Sequence, residues 1–520
     1  MKKIRDLDIP FNDAIEYNDA EKLSKFISHY NVTSAIDKLD QPNTYYVIGE
    51  KGTGKTAICL YYISRPGEDK CKILPLSETF FERFVFMFRN GRIRSESFAT
   101  IWRCILLLSI CNIIYEKATK TQRLFSPTFW RIRSAIRYYS RNSKNPEVEK
   151  VFTVIEKIST KSTFSIKKIL GLELKDAKEQ TTTFKQVESK FEAIELTLIK
   201  ALEDFKTNSQ VNLFLDGVDA KPGSITYQEY QLCLKELTNA TRHLNGRVFK
   251  DIKNHKKKFR VITLIRPDVF IRLDVYNSNL IALDNSVLLS WDCSNTGYRQ
   301  SDLFKTADKF FYSQNMNKRK LGWDAYFSYN QLSKRDIIFL DIMNRSFLRP
   351  RDIFTAIKYL VTKYQNQESD SDRFQMKDII GNNEFIHFYS NYLLGEVRNY
   401  ANFYMSNTDF EFYKSFISYI RNLPVFTYHD YLDAWERFCL VADAEPQIEN
   451  RAIYRSKDML LQFFYDVNII GYREPKLNSR EFNYHYSYRD RSIYDIYPII
   501  KIENVTYSVF KGIRRALNIV

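Results

Sequence analysis

Apolar residues recur along this chain in short runs that predict β-strands, and most runs are separated by stretches with helical spacing. Tyr45–Ile48 (YYVI) is the first such run; a glycine-rich turn follows, and then Lys55–Ser64 (KTAICLYYIS), which continues as a helix. Lys70–Leu76, Val211–Leu215, Phe259–Ile265 and Val287–Trp291 read as four further strands. Helical patterns between most of them argue for a parallel α/β sheet with crossover helices. About 130 residues separate the second run from the third, far more than a crossover requires, so an inserted helical subdomain is expected there. Within it, Ser159–Thr183, rich in Lys, Ser and Thr, reads either as a linker or as a solvated helix surface.

After Asp292 the pattern turns helical, through Asp302–Phe311, Ser333–Met343 and Pro350–Tyr364, and stays so to about Phe416. Ser456–Ile470 is an amphipathic helix stopped by Gly471. Phe482, Tyr484, Tyr486 and Tyr488 then alternate with Asn483, His485 and Ser487, the period of a strand. Pro498–Ile502 offers a return strand and Thr506–Ile519 a last helix, an order that suggests a winged helix. The expected plan is the first part of an α/β domain over residues 1–79, a helical insertion over 80–205, the rest of the domain over 206–295, a helical lid over 296–420 and a winged-helix-like domain over 421–520.

Composition narrows this little. With 520 residues, 44% apolar and 27% charged, the chain is ordinary for a soluble globular protein. The longest strongly apolar run, Cys104–Tyr115, is shorter than the roughly 20 residues that span a bilayer, and no apolar stretch follows the N-terminal lysines. A cytoplasmic protein without membrane contact is expected. Seven scattered cysteines form no CxxC pair, so neither a zinc site nor a disulfide framework is legible. The net charge of +16 favours polyanionic partners. It is concentrated: residues 80–170 hold eighteen Lys/Arg against six Asp/Glu, whereas residues 421–520 hold fourteen against thirteen.

The specific chemistry lies in Gly49-Glu50-Lys51-Gly52-Thr53-Gly54-Lys55-Thr56, which fits GxxxxGK[ST] between a strand and a helix, with Ala57 in the helix's first turn. In such a loop backbone N–H groups cradle phosphates, Lys55 reaches the β/γ-phosphates and Thr56 ligates Mg²⁺. The plain alternative is a glycine turn without ligand, and a second is a loop that binds nucleotide without hydrolysing it. Asp216 ends the Val211–Leu215 run, where a second Mg²⁺ contact is needed. Residue 217 is glycine, so a catalytic glutamate directly after Asp216 is missing; Asp219 is the substitute for polarising the attacking water, or else a loop cap. Arg266, after the fourth strand, is placed to sense the γ-phosphate or to pair with Asp268. Arg349 and Arg351 in Arg349-Pro350-Arg351-Asp352 open a helix, from which one of them would reach the nucleotide. No [NT]KxD segment asks for GTP, so ATP is preferred.

Taken in order, these segments resemble the P-loop ATPases of bacterial mobile elements and defence islands, a group related to the signal-transduction ATPases with numerous domains and to the KAP-type NTPases. The likeness is carried by Phe11-Asn12-Asp13-Ala14-Ile15-Glu16, the P-loop with Glu50 where arginine is commoner, Ser97-Phe98 with Trp102, Asp216-Gly217-Val218-Asp219, Arg266-Pro267, Asn285-Ser286-Val287 with Trp291, Arg349-Pro350-Arg351-Asp352 and Gly512-Ile513-Arg514-Arg515-Ala516-Leu517. The resemblance implies an ASCE/STAND-like P-loop NTPase, an ATP-driven switch whose winged helix docks on nucleic acid or on its own core. Three readings compete. The first is an ATPase switch on DNA or RNA, with phosphate contacts from the basic insertion and from Lys256, Lys257, Lys258 and Arg260. The second is a nucleotide-gated scaffold that holds a protein partner or forms a homo-oligomer. The third is a kinase using the same loop.

Overall fold

The computed structural model describes the chain apart from residues 1, 66–68, 77, 92, 96, 143–183, 206–208, 220, 253–258, 274–276, 292, 296, 316–321, 328–336, 446, 477–481 and 520. Its contacts divide it into two units: residues 34–49 with 55–288, and residues 1–33 and 50–54 with 289–520.

The first, the sheet unit, is α/β. Its strands are β1 (Tyr46–Ile48), β2 (Lys70–Pro75), β3 (Val211–Asp216), β4 (Phe259–Ile265) and β5 (Ser286–Leu288). They form one parallel sheet in the order β2-β3-β4-β1-β5, with Val47 opposite Leu264 and Val287, and Leu213 opposite Lys72 and Val261. β4 is buried at every position, as a near-continuous apolar run in a covered parallel sheet should be. β5 starts one residue earlier and stops three earlier than the apolar run Val287–Trp291 suggests.

The insertion between β2 and β3 is helical where it is described: Glu78–Arg89, Ser97–Glu116, Lys120–Phe125, Pro127–Asn142 and Phe184–Glu203. Ser97–Glu116 contains the Cys104–Tyr115 run and, at 20 residues, is long and apolar enough to cross a membrane. It has no polar face because it is surrounded: it packs on the helices Phe184–Glu203, Tyr227–His243 and Pro127–Asn142 and on β2 and β3. Arg103 on this helix makes a two-pronged ion pair with Glu195, at 2.6 and 3.0 Å. The expected linker Ser159–Thr183 lies outside the described residues.

In the second, helical unit, Asp302–Gln314, Ile337–Arg345, Pro350–Asn366, Asn383–Ala401 and Asn407–Tyr419 share one core with the C-terminal residues. The C-terminal part runs from β6 (Val425–Phe426) through the helices Tyr428–Ala442 and Lys457–Asp466 to β7 (Ile470–Pro475), β8 (Phe482–His485) and β9 (Thr506–Val509), an antiparallel sheet ordered β6-β9-β7-β8. Three expectations need correction. The helix expected over Ser456–Ile470 ends at Asp466, and Gly471 lies within β7, where a Cβ would sit 2.3 Å from the His485 carbonyl oxygen. The return strand is Thr506–Val509, not Pro498–Ile502. Thr506–Ile519 is not a helix: after β9 it makes two short 3₁₀ turns, Lys511–Ile513 and Arg515–Leu517.

Candidate functional site: the phosphate-type loop and its acid

The ends of the loop, Gly49 and Lys55-Thr56, belong to the sheet unit, and Glu50–Gly54 to the helical unit. At the first end, Gly49 N–H donates to the Ile265 carbonyl at 3.0 Å, continuing the β1–β4 ladder. Lys55 opens the helix Lys55–Ser64, and its buried ammonium donates to the Gly49 carbonyl at 2.8 Å. Thr56 Oγ1 donates to Asp216 Oδ2 at 2.7 Å, across 160 positions of sequence. The other carboxylate oxygen, Oδ1, accepts from Gly217 N–H at 2.9 Å. The Thr56 hydroxyl and the strand-end carboxylate thus meet, as β1, β4 and β3 lie side by side. Ala57 is half-buried in the first helical turn.

Burial is the largest influence on Asp216 and raises its carboxyl above the ordinary value. The Thr56 hydroxyl and Lys55 charge oppose this, while the charge of half-buried Asp219 adds to it. Tyr230 Oη donates to the Val218 carbonyl and fixes the turn that carries Asp219.

Gly217 explains the absent glutamate. Its φ is +86°, and a Cβ would lie 2.5 Å from the Leu76 carbonyl oxygen. Any side chain here must force β2 and β3 apart at their ends, where Leu76 N–H donates to the Asp216 carbonyl at 2.7 Å.

Arg266 directly precedes the helix Pro267–Arg272 and is buried against Asp268, with hydrogen bonds of 3.0 and 2.6 Å. The salt bridge read as its alternative is therefore present. Arg260, expected among phosphate contacts, is in the interior. It donates to Asn212 Oδ1 (2.9 Å), to the carbonyls of Leu39 (2.7 Å) and Gln41 (3.1 Å) and to Gln210 Oε1 (3.2 Å), so it is a structural cation. Lys256, Lys257 and Lys258 lie outside the described residues.

In the helical unit, Gly52 and Gly54 take φ of +87° and +94°, and Thr53 Oγ1 donates to the Glu50 carbonyl at 2.8 Å. Arg349 and Arg351 bear on this segment's backbone. Arg349 Nη1 donates to the Lys51 carbonyl at 2.9 Å, while its other nitrogens bind Asp352 at 3.1 and 2.7 Å. Arg351 N–H donates to the Gly52 carbonyl at 3.3 Å, its Nε donates to the Asn12 carbonyl at 3.1 Å, and a Cβ on Gly52 would lie 3.0 Å from Arg351 Cβ. Two further residues hold the loop without having been read as doing so. Trp291 Nε1 donates to the Thr53 carbonyl at 2.9 Å, and Arg491 pairs with Glu50. Burial lowers the Arg491 guanidinium to about 10. An acid at position 50 of the loop was the sequence signal for a cationic partner.

The structure thus defines an α/β protein with a five-stranded parallel sheet and a GxxxxGKT loop after its β1 strand. Compared with protein-family models, curated proteins and solved structures, the chain matches none of them.

Proposed function

We propose that the chain is a P-loop NTPase of the ASCE/STAND-like kind, an ATP-binding and hydrolysing switch that acts on nucleic acid in a bacterial, cytoplasmic defence or mobile-element setting. The observation that carries this is the 2.7 Å bond between Thr56 and Asp216. A hydroxyl and a half-buried carboxylate side by side at the mouth of a phosphate-type loop are the donors a Mg²⁺ ion takes when phosphates supply much of its remaining shell. Among the described residues no group of three or more His, Cys, Asp or Glu could hold a metal unaided. Asp216 and Thr56 would hold the ion, which when bound would neutralise charge on the β- and γ-phosphates. Lys55, now donating to the Gly49 carbonyl, would turn to the same phosphates. The loop's N–H groups orient the nucleotide, and Asp219 accepts a proton from the attacking water.

Turnover is slow on this account. Position 217 accepts no glutamate, and Asp219 stands two residues further along the turn. Arg266 becomes a γ-phosphate sensor only by exchanging Asp268 for the phosphate. Arg349 and Arg351 act through the backbone of Lys51 and Gly52. The C-terminal order of strand, three helices (Tyr428–Ala442, the short Ala452–Arg455 and Lys457–Asp466) and an antiparallel hairpin supports a winged-helix reading.

A second reading, the nucleotide-gated protein scaffold, draws on how that module is seated. A Cβ on Gly512 would lie 2.1 Å from the Arg345 carbonyl oxygen, and Ala516 N–H donates to Ser390 Oγ at 2.9 Å, so the terminal segment is packed on the lid helices. Equilibrium binding of a fluorescent ATP analogue tests the proposal. Binding should need Mg²⁺ and be lost in Lys55→Ala, whereas equal binding by Lys55→Ala, or binding indifferent to Mg²⁺, would refute it.

A further inference from the structure

The basic insertion does not present its charge evenly. From Lys120 to Asn142 there are six Lys/Arg and no Asp/Glu. On the helix Pro127–Asn142, Phe129, Ile132, Ala135, Ile136 and Tyr139 are buried, and the helix packs on Phe184–Glu203 and Ser97–Glu116. The opposite face carries Trp130 (54% exposed), Arg131, Ser134, Arg137 and Tyr138 (39% exposed). Phe125, 76% exposed, is tied to the same place because Trp130 Nε1 donates to the Leu124 carbonyl at 2.9 Å. The cations nearby differ in their freedom. Arg131 pairs with Asp204, and Arg123 donates to the Glu116 carbonyl at 2.6 Å. Lys120, Arg133 and Arg137 form no ion pair among the described residues.

We propose that this face is a docking surface for single-stranded nucleic acid, with bases stacked on Trp130, Tyr138 and Phe125 and phosphates on Arg137 and Lys120. It rests on the nucleic-acid reading above and assigns it a surface. Three exposed rings in a segment free of acids have no role in the core, and aromatic rings interleaved with cations match a chain of alternating bases and phosphates. Trp130 and Tyr138 are eight residues apart, roughly 12 Å along the axis, so they would take separate bases. A bilayer is a poorer fit, because Ser134 and Arg137 interrupt the aromatic face between the two rings, whereas a membrane helix keeps its apolar face continuous. A duplex is also a poorer fit, since its bases offer no open faces to stack on.

The test is fluorescence anisotropy of a labelled 20-nucleotide oligo-dT, and of a duplex of that length, with the full chain. Trp130→Ala and Tyr138→Ala should each weaken oligo-dT binding about tenfold while leaving the melting temperature unchanged, and the duplex should bind less tightly than oligo-dT. Arg137→Gln should reduce the slope of log K against log salt by about 0.7. Oligo-dT affinity within twofold of wild type in the Trp130→Ala/Tyr138→Ala double variant overturns this surface and leaves the nucleic-acid reading standing. An intact chain that binds ATP through Lys55 but binds no oligonucleotide overturns both. Binding to phosphatidylcholine/phosphatidylserine vesicles that is lost in the double variant, without oligonucleotide binding, overturns it in favour of a membrane face.

Discussion

Adding a side chain at position 217 should cost stability and gain no catalysis. In Gly217→Ala the left-handed φ of +86° costs about 1–2 kcal/mol. The new Cβ, 2.5 Å from the Leu76 carbonyl oxygen, cannot stay there, because both neighbours are backbone. Moving Leu76 away stretches the hydrogen bond from its N–H to the Asp216 carbonyl, worth about 1 kcal/mol. The sum is about 2–3 kcal/mol, or a drop of about 4–12 °C in the melting temperature for a unit of this size. Gly217→Glu shares the same Cβ and should lose at least as much. The assay is thermal unfolding followed by circular dichroism, with Gly223→Ala as the control, since a Cβ there meets nothing within 4 Å. Gly223→Ala should melt within about 1 °C of wild type. If Gly217→Ala does the same, or if Gly217→Glu hydrolyses ATP faster than wild type, the geometric account of the missing glutamate is refuted.

Other outcomes follow from the same contacts. Burial holds the Asp216 carboxyl above its ordinary value of 3.8, so the native state binds this proton more tightly than the unfolded state; stability falls as pH rises through that range, and the penalty is complete above the native value. Asp216→Asn should therefore raise the melting temperature of the nucleotide-free protein at pH 7, with the gain vanishing below about pH 4; a gain that persists in acid would contradict this. Arg260→Gln should cost about 3–5 kcal/mol in thermal unfolding, because it strips buried carbonyls of their donor, and should not alter the salt dependence of oligonucleotide binding. Arg349→Lys should weaken ATP-analogue binding by equilibrium titration even though the charge is kept, because a lysine cannot hold Asp352 and the Lys51 carbonyl together. Unaltered affinity would show that the loop keeps its shape without that fork.

The local features of this chain were legible in its sequence, and the features made by distant segments were not. β4 was read to the residue because Phe259, Val261, Ile262, Leu264 and Ile265 make FRVITLI a dense apolar, β-branched run broken only by Arg260 and Thr263. Gly49–Thr56 was read because its residues are contiguous, and Asp216 because it ends the apolar run Val211–Leu215. Arg260 was misread because its acceptors at Leu39 and Gln41 come from more than two hundred residues away, and an arginine in a strand otherwise reads as exposed. The terminal segment Lys511–Leu517 has helical composition, but tertiary docking set its shape: Gly512 must lie against the Arg345 carbonyl, and Asn518 turns to a φ of +56°. The partners of Glu50 and Lys51, Arg491 and Arg349, share no spacing with the loop they hold.

The most direct test of the central claim is steady-state ATP hydrolysis by the purified chain with Mg²⁺, with and without single-stranded DNA or RNA, at low and high salt. The account predicts slow turnover that disappears in Lys55→Ala and rises with nucleic acid at low salt only. Turnover that survives Lys55→Ala would contradict the assignment of the loop, and Lys55-dependent turnover indifferent to nucleic acid would replace the nucleic-acid switch with the protein scaffold.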